Sequence, residues 1–569
     1  MKSKELRDNF LSFFRQRGHR IVSSSSLIPE DKSVLFTTAG MQQFKPYYLG
    51  KESPLGRNVA SCQKCFRTSD IDEVGDKRHL TFFEMLGNFS FGGYFKEKAI
   101  ALAFEYLTSF LHFPVSELRV TVFEGDEKIP RDEQSAEVWK KFGFSEEKGN
   151  LKFCSREDNF WGPTGKEGPC GPTTEIYYRD IEIWNLVFNE YYRDKNGLFI
   201  PLEQKGVDTG MGLERLTMAV QKKSNVFETD LFYPIIRQLK KIGFETAGRG
   251  ERIIADHIKG SVFLISEGVF PSNMGRGYVL RRLLRRAIRY ANILKLPEMS
   301  LISAAKETIG IYKDVYPALL SRNADILTVI QEEREKFEKT LKRGLKELEL
   351  KIEEAQRQGV RRISGKAAFD LFQSYGFPLE ITEEIAKEKG FSVEKEGFER
   401  EFKKHQEISR AGAEKKFGGV GRGAGIEERR LHTATHLLQA ALRKILGNEV
   451  RQMGSDINSE RLRFDFSFPR KMTQEEIKKV EALVNQKIKE DIEVKREVMS
   501  YEKAVNSGAL AFFKEKYPQE VSVYTIGDFS KEICAGPHVK RTSELGHFKI
   551  VKEESSGAGV RRIKAILTK

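Results

Sequence analysis

The chain has 569 residues and is 39% hydrophobic, 31% charged and 11% aromatic. That is enough apolar side chain to bury several cores, which excludes wholesale disorder; the length suits about three to five domains. With 96 basic and 82 acidic residues the net charge is +14 at pH 7, and a polyanion such as nucleic acid is the simplest partner. No run approaches the ~18 consecutive apolar residues of a membrane helix, so no membrane association is expected. The start, MKSKELRDNFLSFFRQRG, reads as an amphipathic folded helix and not as a signal peptide. Cys62, Cys65, Cys154, Cys170 and Cys534 are an odd, sparse set, which suits a reducing compartment and hence the cytoplasm.

In chain order, VLFTTAG (34–40), TFFEMLGNFSF (81–91), EIYYRDIEIWNLVF (175–188) and VDTGMGLERL (207–216) read as strands broken by glycine turns. Few strands alternate with long helices, so residues 1–242 are expected to form an antiparallel sheet with helices outside. Helical patterns dominate 243–410. In GYVLRRLLRRAIRYA, Leu280, Leu283, Leu284, Ala287 and Tyr290 (or Ala291) share one face, and Arg282, Arg285, Arg286 and Arg289 line another. Leu327, Ile330, Phe337, Leu341, Leu345, Leu348 and Ile352 continue helical spacing through a charged segment, which predicts one long amphipathic helix. Residues 411–427 are rich in glycine. No strand precedes them, so they read as a flexible linker and not as a phosphate-cradling loop. Beyond the linker, HTATHLLQAALRKIL is helical and RLRFDFSF (461–468) alternates cleanly. Residues 428–569 therefore form a separate domain, and the fold class is α+β and multidomain.

The strongest spacing lies in this last domain. His432 and His436 are four apart on a predicted helix, which puts both imidazoles on one face. Cys534 and His538 repeat the interval in CAGPH, where Pro537 disfavours a regular helix. Three imidazoles and a thiolate suit tetrahedral Zn2+. If all four bind, the ion organises the site; if one is labile, a metal-bound water becomes a hydrolytic nucleophile. Cys62 and Cys65 have zinc-ribbon spacing but no second pair, and read as structural or incidental thiols. In the first domain Arg67, Trp161, Asn185, Asp208 and Arg215 sit in short strand or loop contexts. Each also has an ordinary explanation: Asp208 before Thr-Gly is a common turn former, and Arg215 after Glu214 suits a surface pair.

Taken together, LFTTAGMQQFKPYYLG, TFFEMLGNFSFGGYFK, GPCGPTTEIYY, EIWNLVF, VDTGMGLERL, PSNMGRGYVLRRLLRRAIRY and HTATHLL…CAGPH resemble the alanyl-tRNA synthetase family, in the right order and over nearly the whole chain. The resemblance implies a class II synthetase with an antiparallel catalytic sheet, a helical tRNA-binding domain over 243–410 and an α+β editing domain. It also implies the substrates L-alanine, ATP with Mg2+, and tRNA(Ala). By resemblance Arg67 grips the α-phosphate, Arg215 holds the distal end of ATP and Gly212 lets the nucleotide approach. Ile183, Trp184 and Asn185 lie beside the nucleotide. Asp208 pairs with the alanine ammonium, with Trp161 and Asn185 in the amino-acid pocket. Asn273 and Gln373 match positions that read the acceptor stem, and the arginines at 282, 285, 286 and 289 would contact phosphates. His432, His436, Cys534 and His538 match the editing-domain metal ligands, and Gln452 a glutamine of its pocket.

The departures are specific. LFQSYGFP carries Gln373 where the family usually has aspartate, so an amide that donates and accepts replaces a carboxylate that only accepts. The loop after Arg67, TSDIDEVG, is short, and His79-Leu80 replaces a frequent His-His. The family's small β-barrel before HxxxH and its carboxy-terminal domain have no counterpart here, from which a monomer with weakened coupling of synthesis to editing is expected. Two rivals keep the same residues: a metal-dependent deacylase whose other half only docks tRNA, and a non-enzymatic RNA-binding protein.

Overall fold

The computed structural model describes residues 1–31, 34–163, 167–239, 247–417, 425–511, 518–557 and 559–568. The chain divides into two compact units. One comprises Met1–Val269 with Asn273–Arg334, the other Phe270–Ser272 with Glu335–Lys569. The expected boundary at 242 and residues 418–424 of the expected linker lie outside the described residues. The helical region expected as one domain over 243–410 is shared between the two units.

The first unit is built on nine strands: β1 (Arg20–Val22), β2 (Asn58–Phe66), β3 (Phe82–Phe91), β4 (Leu118–Phe123), β5 (Leu151–Cys154), β6 (Phe160–Trp161), β7 (Gly168–Tyr178), β8 (Ile181–Arg193) and β9 (Phe199–Gly212). They follow the order β1-β2-β3-β9-β8-β7-β4-β5, with β6 paired to β7. Only the edge pairs β1–β2 and β4–β5 are parallel; the interior is antiparallel, as the sequence implied. Segment 175–188, expected as one strand, is a hairpin. Tyr178 pairs with Ile181, and Arg179 takes the left-handed φ of 56° that turns the chain. Segment 34–40 is not a strand: Thr37 bonds Leu27 on one side and Phe66 on the other, and no ladder continues. β9 ends at Gly212, so Arg215 stands on a helix.

The helices of this unit include α1 (Ser3–Gln16), α2 (Leu213–Val220), α3 (Arg249–Ser266), α4 (Gly275–Ile293) and α5 (Ser300–Tyr312), and α6 (Asn323–Arg357) begins within it. Side chains alternate across each strand. On β8, Trp184 is buried on the side of α1, its ring centroid 5.8 Å from Phe10 and 6.3 Å from Phe14, while its neighbours Ile183 and Asn185 face the other way.

The arginine face of α4 corrects the sequence reading. It was expected to meet phosphates or solvent, yet Arg285, Arg286 and Arg289 are buried. Arg285 Nε donates to Glu333 Oε1 of α6 at 2.6 Å, and Arg286 Nη1 to the Ile71 carbonyl at 2.6 Å. Arg282 is largely covered and pairs with Asp72 at 2.5 Å. Periodicity separates two helix faces but does not say that both are inside.

In the second unit, α7 (Gly365–Tyr375), α8 (Leu379–Glu388) and α9 (Lys395–Phe417) accompany a short parallel pair, β10 (Arg362–Ile363) with β11 (Ser392–Val393). α9 runs to Phe417, so the first part of the expected linker is helical. Then come α10 (Ile426–Leu446), β12 (Gln452–Ile457), β13 (Leu462–Ser467), α11 (Gln474–Lys489), β14 (Val494–Ser500), β15 (Glu520–Ile526), β16 (Ser530–Ile533), β17 (His547–Gly557) and β18 (Val560–Thr568). The sheets are β12-β13-β18-β17 and β14-β15-β16, both antiparallel. Leu462, Phe464 and Phe466 of β13 share a core with Leu437 and Leu438 of α10 and Val480 and Val484 of α11, as the alternation predicted. No helix among the described residues is long and apolar enough to cross a membrane.

Because Arg285 is buried, removing its carboxylate partner leaves a desolvated charge. Glu333→Ala is expected to destabilise the protein by about 3–5 kcal/mol, whereas replacing both Arg285 and Glu333 by apolar residues of similar volume costs much less. Denaturant unfolding of the two variants measures the difference.

Candidate active site and metal centre

The strands β3, β9, β8 and β7 turn one face toward a cavity of about 430 Å³. Its floor is Met85, then Asp208, Gly210 and Gly212, then Ile183, Asn185 and Val187, then Thr173 and Glu175, each strand contributing alternate residues. Arg67, Asp70, Arg78, His79 and Leu80 from the β2–β3 connection, Trp161 from β6 and Arg215 from α2 complete the wall. The cavity thus gathers Arg67, Trp161, Ile183, Asn185, Asp208, Gly212 and Arg215. Trp184 is the exception: its side chain packs on the far face of the sheet and does not line the cavity.

The electrostatics are divided. Asp208 is 5% exposed, and burial alone pushes its carboxyl up to about 7; no neighbouring cation offsets the cost. Glu175 is also pushed up to about 7, by burial and then by Glu182; it accepts from Asn185 Nδ2 at 3.1 Å and from the Tyr177 hydroxyl at 2.7 Å. Arg67 lies over the Phe83 ring, and Arg215 Nη1 contacts Glu182 Oε2 at 2.6 Å. Both guanidinium groups are part-exposed, within reach of a ligand. A Cβ on Gly212 would meet nothing closer than Arg215 at 3.9 Å and would fill cavity space instead. Deeper, Glu214 is paired with the fully buried Lys259 at 2.7 Å.

The second unit brings His432, His436, Cys534 and His538 together, with one potential ligand atom from each lying within 4.8 Å of all the others. α10 supplies the two histidines one turn apart, and the segment after β16 supplies the cysteine and third histidine. His432 Nε2 is 3.4 Å from Cys534 Sγ, while its Nδ1 faces the Pro537 carbonyl at 3.2 Å. His538 Nδ1 is 3.1 Å from Thr433 Oγ1, and its Nε2 is buried without a hydrogen-bond partner. His436 Nδ1 lies 3.3 Å from Glu532 Oε2. Burial lowers the imidazoles, to about 4 for His432 and about 3 for His436, so all three are neutral near pH 7 with lone pairs free for a cation. Burial raises the Cys534 thiol to about 11, so deprotonation there needs an ion. Unprotonated nitrogens, a sulfur and an orphaned ring nitrogen fit a metal centre.

A family model described as tRNA synthetases class II (A) matches residues 5–438, and one described as threonyl and alanyl tRNA synthetase second additional domain matches residues 521–564. An alanine–tRNA ligase of Borrelia hermsii is 50% identical across 100% of both chains. One of Treponema pallidum is 46% identical over 100% of this chain and 98% of its own. One of Dehalococcoides mccartyi is 39% identical over 99% of this chain, which covers 80% of that relative. The chain belongs to the alanyl-tRNA synthetase family. It is a class II ligase that aminoacylates tRNA and carries an editing domain.

Within that family the remaining expected residues are placed as follows. Asn273 is exposed just before α4 and bonds Arg281; Gln373 is exposed on α7. Gln452 is half-buried at the start of β12, its amide donating to Ser455 at 3.1 Å. Sequence reasoning missed Glu175 and Glu532. Glu175 lies in GPCGPTTEIYY and stands opposite Asn185 on the neighbouring strand, and Glu532 lies two residues before Cys534, the signals that could have found them.

Outer hydrogen bonds fix the ring orientation of a ligating histidine. Thr433→Val, which removes the acceptor at His538 Nδ1, is expected to weaken metal binding about 10–100-fold without unfolding the domain. Competition with a chelator of known affinity measures it.

Proposed function

We propose that the first cavity makes alanyl-adenylate and charges tRNA(Ala), and that the His-Cys cluster belongs to a separate site that hydrolyses Ser-tRNA(Ala) and Gly-tRNA(Ala). The observation that carries this reading is a buried carboxylate whose burial no neighbouring cation offsets, Asp208, sharing one cavity with the part-exposed Arg67 and Arg215. The α-ammonium of L-alanine pairs with Asp208, and Trp161 and Asn185 bound the pocket. Its carboxylate then attacks the α-phosphorus of ATP in line, and pyrophosphate leaves with the P–O bonding electrons. Charge develops on the phosphate oxygens, where Arg67 stabilises it; Arg215 exchanges Glu182 for the distal phosphates. Mg2+ bound with ATP neutralises further phosphate charge. In the second step a terminal ribose hydroxyl of the tRNA attacks the activated carbonyl and AMP leaves.

A pocket this small discriminates poorly. A missing methylene is worth ~1–3 kcal/mol, and an added hydroxyl is also hard to reject. Hydrolysis of glycyl and seryl products at a second site makes up the difference. His432, His436, Cys534 and His538 would hold Zn2+ there, which supplies Lewis acidity or order, with Gln452 in the pocket. Asn273 and Gln373 read the acceptor stem, the amide of Gln373 offering a donor where a carboxylate cannot. The enzyme acts as a monomer in the cytoplasm, with domains at 1–242, 243–410 and 428–569.

Asp208→Asn is expected to raise the KM for alanine by about 10²-fold, from loss of a buried charge partner, and to leave deacylation intact. Cys534→Ala should do the reverse. Equal loss of both activities in either variant contradicts the two-site division. Protonation removes the charge that the ammonium needs, so alanine KM should rise as pH falls through about 7. Steady-state kinetics against pH should find this dependence abolished in Asp208→Asn.

A further inference from the structure

The connection between β2 and β3 is part of the cavity wall: Asp70, Arg78, His79 and Leu80 line it, and Arg67 stands at its root. Both ends of this loop are tied to the helix pair α3–α4. At the near end, Arg286 Nη1 donates to the carbonyl of the fully buried Ile71 at 2.6 Å, and Arg282 Nη2 meets Asp72 Oδ1 at 2.5 Å. The far end is reached through a buried relay. Arg286 Nη1 is 3.1 Å from His257 Nε2, and His257 Nδ1 is 2.9 Å from Asp256 Oδ2. Asp256 accepts from the Thr81 backbone N–H at 2.9 Å and from its hydroxyl at 2.7 Å. Thr81 closes the loop, its carbonyl accepting from the Arg67 N–H at 2.9 Å.

The protonation pattern is self-consistent. A guanidinium only donates, so His257 Nε2 accepts, its proton sits on Nδ1, and that N–H donates to Asp256. Burial holds this imidazole neutral. Arg286 is 3% exposed, which leaves no path for a polyanion to its guanidinium.

We propose that Arg286 and Arg282 are positioning residues for the nucleotide: from α4 they set the geometry of the 68–80 loop, and thereby of Arg67, in the ATP-binding wall. This rests on reading the cavity as the ATP site. Arg286 is the hub, because its Nη1 serves both the Ile71 carbonyl and the His257 relay. A lysine keeps the charge but not the planar geometry that aims the two N–H bonds of Nη1. Small misplacement of a phosphate-binding group is costly; about 1 Å can lose ~10² in rate.

The test is alanine-dependent exchange of labelled pyrophosphate into ATP by the full chain, with ATP and alanine KM measured separately. Arg286→Lys is expected to raise the KM for ATP about tenfold or more while alanine KM stays within about twofold and deacylation is unchanged. Arg282→Ala and Asp72→Asn, at the more exposed end of the clamp, should shift ATP KM in the same direction and serve if Arg286→Lys does not fold. A lowered Tm with ATP KM unchanged in folded Arg286→Lys and Arg282→Ala overturns the proposal. Arg67→Ala is the control. If it abolishes exchange while the clamp variants do nothing, only the positioning role fails. If instead Arg67→Ala leaves both exchange and ATP KM untouched, the nucleotide reading of the cavity fails and takes the proposal with it.

Discussion

Side-chain alternation on adjacent antiparallel strands is the constraint on which the first unit depends. A period of two forces Ile183, Asn185 and Val187 to one side of β8 and Trp184, Leu186 and Phe188 to the other. Register then decides which residues meet. Asn185 opposite Gly210 and Val187 opposite Asp208 place the acidic group and the glycines of β9 in the same layer as the β8 side chains. The other side of β8 holds aromatic packing against α1, which fixes the strand. A slip of one residue would bury Asn185 among phenylalanines and turn Trp184 into the cavity. The cavity and the core are two faces of one ladder.

The two units solve opposite electrostatic problems. The sheet cavity collects charged groups whose partners are weak or absent: Asp208 is held up by burial alone, and Arg215 has only a part-exposed Glu182. Such a site leaves charge for a ligand to neutralise. The His-Cys cluster does the reverse. Burial strips protons from three imidazoles and keeps one on the thiol, so the resting group is neutral and prepared for a cation. On the proposed reading, amino-acid activation and hydrolysis draw on separate chemistry in separate units. Substitutions in one need not disturb the other.

The local parts of this arrangement were legible in the sequence. The i, i+4 histidines, the β13 alternation and the long helix α6 follow from periodicity, and the resemblance named seven residues that share the cavity. What was not legible depends on partners far along the chain. The arginine face of α4 repeats like a solvated or phosphate-binding face. Its role is set by Glu333, Ile71 and His257, none of them near it in sequence. The hairpin within 175–188 depends on a left-handed Arg179, a conformation that arginine does not advertise. The resemblance puts Trp184 beside the nucleotide, although alternation alone sends its side chain to the opposite face.

On the proposed function, the cavity on the sheet activates alanine with ATP by itself. The most direct measurement is exchange of labelled pyrophosphate into ATP without tRNA, comparing alanine with glycine and serine. Magnesium-dependent exchange is expected to be strongest with alanine and weaker but detectable with the other two. Folded protein that catalyses no exchange with any of the three would contradict it.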